Sequence, residues 1–468
     1  MHKNFWKRTA AIVGVTLMLG LTSACNFDKK DVINAYDIAV QNGFVGTEKE
    51  WLESLKGENG EDAPKQDIQE IYQAAVDAGF EGSFLDFVKE YLSVDLHSDN
   101  DTQTIAENIL SVVSIYCSFT QTKTIGGWLG MQTQTTTYSA AGSGVIIDLN
   151  KEAGNALIVT NYHVVYDANS DTNTHISDSI YLYTYGALNM YSTTTGKDEG
   201  GDGIRATYVG GAMDYDIAIL KVEGNKFLQN SDAREAKLGD SESVQVGEKV
   251  YAIGNPDGAG ISVTGGVLSV ESEYITMSST NGIGSVGYRV MRTDAAINHG
   301  NSGGALFNAE GKLIGITNAK NVNEDVDNMG YALPITQVKY LWQNLLDNQG
   351  VVKRAMLGIE VKTTASSVEY KNGILTINEQ VVVDSTKISD TAAAYNQLQF
   401  GDVFKTITII PAGQTSGEEI TLTRRFQIND LLLTVRKGDT VVLTVLRDGT
   451  ETKVTIVYNK DSYFKEYK

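Results

Sequence analysis

The sequence predicts a mainly β protein of two or three domains, on three observations. Between about residues 105 and 334, short apolar runs such as Gly144-Val145-Ile146-Ile147 and Ala156-Leu157-Ile158-Val159-Thr160 are separated by clusters of Gly, Asn, Asp and Ser. That is the pattern of an antiparallel sandwich or barrel, not of alternating β and α units. Val338, Leu341, Trp342, Leu345 and Leu346 then fall at helical spacing after Pro334, and a second strand-rich stretch follows. A chain of 468 residues is long enough to bury more than one core.

Lys3, Lys7 and Arg8 precede an apolar run over 10–21, which is too short for a comfortable membrane span and reads as an export signal. It ends in Thr22-Ser23-Ala24-Cys25. Small residues before Cys25 resemble a bacterial lipoprotein signal, which implies lipidation of Cys25 and a membrane anchor. Thr22 stands where that pattern favours leucine, and Leu21 is one place further back, so simple cleavage or an uncleaved anchor stands as the alternative to lipidation. The other cysteine, Cys117, lies in Ile115-Tyr116-Cys117-Ser118-Phe119 and is expected to pack as a small hydrophobe. Stability must then come from burial. The formal charge is −20, about −23 without the leader's three cations, which disfavours nucleic acid and anionic lipid as partners.

A 36-residue spacing relates Ala39-Val40, Gly43-Phe44, Gly46 and Trp51-Leu52 to Ala75-Val76, Gly79-Phe80, Gly82 and Phe87-Val88. Each copy reads as a helix stopped at glycine and followed by a shorter helix, so residues 25–93 form two helical repeats. A spacer above a membrane is the simplest role, and wall or partner binding the alternative. Residues 94–104, polar and acidic, are expected to be a flexible linker.

Gly300-Asn301-Ser302-Gly303-Gly304 carries the most chemistry. A serine hydroxyl needs a base, an orienter for that base and donors for an oxyanion. Flanking glycines let the N–H groups of Gly300 and Ser302 converge on one point. Of five histidines, only His163, in Asn161-Tyr162-His163-Val164-Val165, stands at the end of an apolar strand. Asp216, directly before the run Ile217-Ala218-Ile219-Leu220, is a carboxylate costly to bury unless an imidazole N–H receives its charge. His163, Asp216 and Ser302 are the candidate catalytic residues, in an order known from chymotrypsin.

The stretches T-N-Y-H-V-V, D-Y-D-I-A-I-L-K-V and T-D-A-A-I-N-H-G-N-S-G-G-A-L resemble those of the HtrA (Deg) family of trypsin-like serine proteases over about residues 105–345. The resemblance implies a chymotrypsin-like double antiparallel β-barrel at 105–348, with His163 and Asp216 on the first barrel, Ser302 on the second, and the cleft between. It implies a serine endopeptidase that degrades unfolded extracytoplasmic proteins, needs no cofactor, and assembles as a homotrimer. Asn301 is uncharged and cannot pair with a new amino terminus, so no zymogen switch of that kind is expected. The likeness also places a long regulatory loop at 121–141.

Ala296, Ile297 and Ile316 supply no acid to a specificity pocket, which predicts a preference for small or medium aliphatic side chains. Asp167, Asn169 and Asp171 echo a calcium loop, but Thr172 and Asp178 stand where glycine and glutamate are needed, so a solvated polar loop is the reading and no metal is expected. After a linker at 349–356, Leu357, Gly358 and Ile359 resemble the carboxylate-binding loop of a PDZ domain. A PDZ-like α+β domain at 357–460 would bind C-terminal peptides by strand addition. Within it, 426–435 reads as a helix and 440–447 with 452–457 as a hairpin turned at Asp448-Gly449. Residues 363–390 carry extra length. The competing expectation is a peptide-binding, chaperone-like envelope protein whose protease centre is silent.

Overall fold

A computed structural model of the protein describes residues 101–127, 130–318, 329–384 and 392–467. The export signal, Cys25, both repeats and residues 94–100 of the expected linker lie outside them. In chain order come α1 (Asp101–Asn108), β1 (Val112–Gly127), β2 (Gly130–Asn150), β3 (Asn155–Thr160), α2 (Tyr162–Val165), β4 (Ser179–Thr184), β5 (Tyr191–Ser192), β6 (Lys197–Asp198), β7 (Ile204–Ala212), β8 (Ile217–Val222) and α3 (Lys226–Asn230). The second half has β9 (Lys249–Gly254), β10 (Ser262–Ser278), β11 (Ser285–Thr293), β12 (Ala305–Asn308), β13 (Leu313–Asn318), β14 (Gly330–Pro334) and α4 (Ile335–Asp347). Last are β15 (Val352–Ala355), β16 (Val361–Lys371), β17 (Ile374–Val383), β18 (Val403–Ile410), β19 (Glu419–Thr421), α5 (Arg425–Leu431), β20 (Thr440–Arg447), β21 (Thr450–Val457) and β22 (Phe464–Tyr467).

Two closed barrels follow, ordered β1-β2-β3-β8-β7-β4 and β10-β11-β14-β13-β12-β9. This is the trypsin-like fold. Closure removes the open edges that a free sheet would expose. The run Ile217-Ala218-Ile219-Leu220 shows why a strand here can be apolar at every position. Ala218 and Leu220 fill the first barrel, while Ile217 and Ile219 point the other way into the core shared with the second barrel. Period-two alternation with both faces covered gives a continuous apolar run. The residue before it, Asp216, is therefore delivered to the junction between the barrels.

Helix α4 packs Ile335, Val338, Leu341, Trp342 and Leu345 into the shared core. Leu346, read from the sequence as part of that stripe, is 39% exposed and faces outward. Gly350, at φ +87°, caps the helix through its N–H to Leu345 O at 2.8 Å. Its backbone abuts Gly210, where a Cβ would come within 2.2 Å of the Gly350 Cα.

Beyond it stands a sheet ordered β16-β17-β18-β20-β21, with β19 on β18 and a core of its own that includes Leu357, Phe404, Leu431 and Tyr458. The β20–β21 hairpin turns at Asp448 and Gly449, both at positive φ, as the primed two-residue turn requires.

Four sequence expectations are corrected. Residues 101–104 are not linker but the start of α1, fastened by the Asp101–Lys249 ion pair and by Ile109 buried behind it. The expected linker at 349–356 contains a strand, β15, which pairs with β22. The Thr-rich stretch 121–141 is a regular hairpin of β1 and β2, in register from Val112↔Val145 to Gly127↔Gly130. Cross-strand contacts such as Thr122–Thr135, 3.1 Å between hydroxyls, suit threonine to that ladder. Helix α5 stops at Leu431, and Leu433 and Thr434 donate to Asp430 and Leu431 in tighter turns that extend to about 435.

Candidate active site

β3 ends at Thr160, and the chain turns through extended Asn161 into α2, which carries His163 on its first turn. Asp216 follows the 3-10 turn Met213–Tyr215 in the left-handed region, φ 51° and ψ 41°, at a cost of roughly 1–2 kcal/mol. It is fully buried. Its Oδ1 accepts the His163 backbone N–H at 3.0 Å, and its Oδ2 lies 2.7 Å from His163 Nδ1. Asn318 Nδ2 donates to the same Oδ2 at 3.0 Å, and Asn161 Nδ2 donates to the Asp216 carbonyl at 2.9 Å. Three of these contacts, from His163 N–H, His163 Nδ1 and Asn318 Nδ2, satisfy the two carboxylate oxygens in the interior. Because the carboxylate accepts from Nδ1, it fixes the tautomer that leaves Nε2 as the acceptor.

Ser302 is buried in the turn that enters β12 of the second barrel. Ser143 on β2 joins this turn to the first barrel. Its N–H donates to Ser302 O at 2.8 Å, its hydroxyl donates to Gly300 O at 2.7 Å, and its own carbonyl accepts Thr160 Oγ1 at 2.7 Å. At Gly303, φ +83°, a Cβ would meet Ser143 O at 2.2 Å, Thr160 Oγ1 at 2.3 Å and Asn161 N at 3.0 Å. Only glycine permits this approach. The serine turn is thus pressed against the residues that lead into His163.

The loop before the serine is oriented as well. Asp257 N–H donates to His299 O at 2.8 Å. The peptide bond is trans, so the Gly300 N–H points the opposite way. Among the described residues no hydrogen bond engages that N–H. Asn301 is buried; its carbonyl accepts Thr317 Oγ1 at 2.6 Å, while its Oδ1 has no hydrogen-bond partner among the described residues.

Of the pocket candidates, Ala296 is exposed and Ile297 is buried against Gly330. Ile316 is a correction: it is fully buried in the core between the barrels, opposite Ala305 and Leu333, where it packs instead of lining a recess. Asp294 is turned away, its Oδ1 accepting Val267 N–H at 2.6 Å. Asp167 Oδ1 accepts Asn169 N–H at 2.7 Å in a local turn, and among the described residues no three ligand-type side chains gather around a metal position. In the loop between β15 and β16 Leu357 is buried and Ile359 half-buried, and Gly358, φ +76°, abuts Ala392 so closely that a Cβ would come within 2.2 Å of its Cβ.

Sequence reading missed Asn318 and Ser143. For Asn318 the only signal was a polar residue ending the apolar run Leu313–Asn318. Ser143 stands between Gly142 and Gly144, where added Cβ atoms would strike Val164 and Ile158 within 2.6 Å, so a serine framed by glycines before a buried strand was legible as a close approach.

A double six-stranded antiparallel barrel, with a buried aspartate paired to a part-exposed histidine at the junction and a glycine-framed serine turn packed against the residues that lead into that histidine, defines the trypsin-like peptidase class. Residues 142–316 match the trypsin-like peptidase domain family. The serine protease Do-like HtrA of Lactococcus lactis subsp. cremoris is 31% identical over 334 residues, covering 69% of this chain and 72% of that protein. HtrA of Bacillus subtilis is 32% identical over 318 residues, and the match spans 67% of this chain and 62% of that one. The periplasmic serine endoprotease DegP of Escherichia coli is 31% identical over 330 residues, covering 69% and 58%. A solved structure of the HtrA-type protease AlgW with decapeptide matches 76% of this chain and 97% of its own at 23% identity and a TM-score of 0.46. The chain belongs to the HtrA family of serine proteases and is a serine endopeptidase.

Proposed function

We propose that Ser302 is the nucleophile, His163 its base and Asp216 the orienter of that base, in an endopeptidase that degrades unfolded extracytoplasmic proteins. The observation that carries the reading is the 2.7 Å contact of His163 Nδ1 with buried Asp216, beside a serine turn held by Ser143. His163 takes the Ser302 proton as the oxygen attacks the peptide carbonyl, and returns a proton to the leaving amine. Asp216 stabilises the imidazolium. The N–H groups of Gly300 and Ser302 receive the oxyanion, each donor contributing roughly 2.7–4 kcal/mol to the transition state. The orientation of the His299–Gly300 peptide supports the first of them.

The carboxyl-terminal sheet is read as a PDZ-like module. Among the described residues β16 ends its sheet and pairs only with β17, which supports peptide binding by strand addition beside Leu357, Gly358 and Ile359. Export and anchoring through Cys25 belong to the same proposal, as does a trimeric assembly. The name of the Escherichia coli relative places that protein in the periplasm and is consistent with an extracytoplasmic setting.

The test compares digestion of a reduced, unfolded protein by wild type and Ser302→Ala. Loss of the nucleophile costs about a millionfold in turnover. Undiminished digestion by the variant, or a serine-directed phosphonate attached elsewhere, would remove the assignment.

A further inference from the structure

Tyr215 closes the 3-10 turn that delivers Asp216. Its ring packs edge-on against Tyr467 of β22, centroids 5.2 Å apart at 68°. Its hydroxyl accepts from Arg354 Nη1 at 2.9 Å, and the Arg354 guanidinium also lies over the Tyr467 ring, 5.1 Å from its centroid. Arg354 is on β15, whose ladder with β22 pairs Val352 with Tyr467 and Arg354 with Lys465. Two phenols and a guanidinium from three separate segments thus form one unit directly before Asp216. Arg354 Nε is buried with no hydrogen-bond partner among the described residues, so the guanidinium is held at some cost to itself.

Asp216 needs such holding. A non-glycine residue in the left-handed region relaxes unless its surroundings over-determine it. His163, Asn161 and Asn318 grip it from the cleft side. On the other side, the turn is held by the Tyr215 unit and by Tyr288, whose hydroxyl donates to Met213 O at 3.4 Å. The geometry points to Tyr215 as a positioning residue for Asp216, clamped by Arg354 and Tyr467, so that seating of the β15–β22 ribbon is a condition of full activity. The inference rests on the triad proposed above.

The experiment uses the full chain with Tyr215→Ala, Arg354→Ala and Tyr467→Ala, alongside Tyr215→Phe and Arg354→Lys, which keep the packing volume. The charged and titratable groups around this region are His163, Asp214 and Tyr288 near Asp216, and Arg354, Tyr467 and Asp430 near Tyr215. In the alanine variants kcat falls about tenfold or more with KM nearly unchanged. The acid limb of kcat/KM moves to lower pH, because a displaced Asp216 stabilises the imidazolium less. Tyr215→Phe shifts both in the same direction by less. If an alanine variant unfolds, the two conservative variants decide. An unshifted acid limb and wild-type kcat in folded variants overturn the inference, as does loss of activity only in step with loss of fold. Phosphonate labelling separates the two readings: failure to label Ser302 in wild type removes the triad, whereas equal labelling rates in wild type and clamp variants remove the clamp alone.

Discussion

Arg289 of β11 and Asp430 of α5 form an ion pair between the second barrel and the carboxyl-terminal sheet, with side chains only 1% and 7% exposed. The guanidinium also donates to Glu242 Oε1 at 2.7 Å and to Ser272 Oγ at 3.1 Å, and lies 3.4 Å from the centroid of the Phe426 ring. Gln337 of α4 donates to the other Asp430 oxygen at 2.7 Å. The helix after the barrels, the second barrel and the carboxyl-terminal domain therefore meet at one cation.

Burial pushes the Asp430 carboxyl above the usual carboxylate range, and Arg289 opposes that rise. In Arg289→Ala the opposition is lost and the folded-state value climbs further. A raised carboxyl lends stability below its unfolded value and loses it as pH rises through the folded one. Removing one partner of a buried pair costs roughly 3–5 kcal/mol, so Arg289→Ala is destabilised, and more so as pH rises from the carboxylate range toward neutrality. Urea unfolding at several pH values reads this. A difference from wild type that is constant or shrinks with pH would contradict it.

Asn318 is the test of how much the second barrel contributes to the Asp–His pair. Its amide donates to Asp216 Oδ2 from the end of β13. A hydrogen bond to a charged group contributes about 1.5–3 kcal/mol, so Asn318→Ala is expected to lower kcat by roughly 10- to 150-fold. KM should barely change, since the amide touches the carboxylate and not the substrate. A variant in which only KM rises would assign Asn318 to substrate binding instead.

The segments around His163, Asp216 and Ser302 could be read locally, because each motif carries its own context: an apolar strand that ends or begins beside a polar residue, or glycines around a hydroxyl. Asn318 carries no such context, and the glycines around Ser143 mark a close approach without saying to what. Their partners lie 102 and 157 positions away, and nothing in the adjacent sequence names them. Distance along the chain also hid the start of α1, whose first residue pairs with Lys249, and β15, which exists as a strand because β22 returns to pair with it. Leu346 misled for a different reason: helical spacing says which residues share a stripe, but the width of the covered stripe is set by what packs on it.

Asn301 tests why the residue before the serine is an amide. Its Oδ1 is buried without a partner among the described residues, which a neutral carbonyl tolerates at modest cost and a carboxylate does not. Asn301→Asp places a carboxyl where burial must raise its pKa. Its stability is then retained at low pH and lost as pH rises through the raised value. Melting temperatures of variant and wild type should converge in acid and diverge toward neutral pH. Convergence at neutral pH instead would mean that a cation reaches the site.

Cys117 reports on the first barrel. It is fully buried on β1, paired with Ala140 of β2 and Ile180 of β4, and burial pushes its thiol up to about 12. Alkylation requires the thiolate, and a group titrating there is only about one ten-thousandth ionised at pH 8. Access requires separating β1 from a neighbour on each side, which no local fraying achieves in a closed sheet. With Cys25→Ser in place, iodoacetamide should leave the native protein unmodified for as long as it takes to label the urea-unfolded chain completely. The labelling rate should then follow the global unfolding equilibrium as urea is added. Rapid labelling without denaturant would mean that β1 leaves its barrel in the native state, and the first barrel could not then serve as the fixed wall on which His163 and Asp216 are mounted.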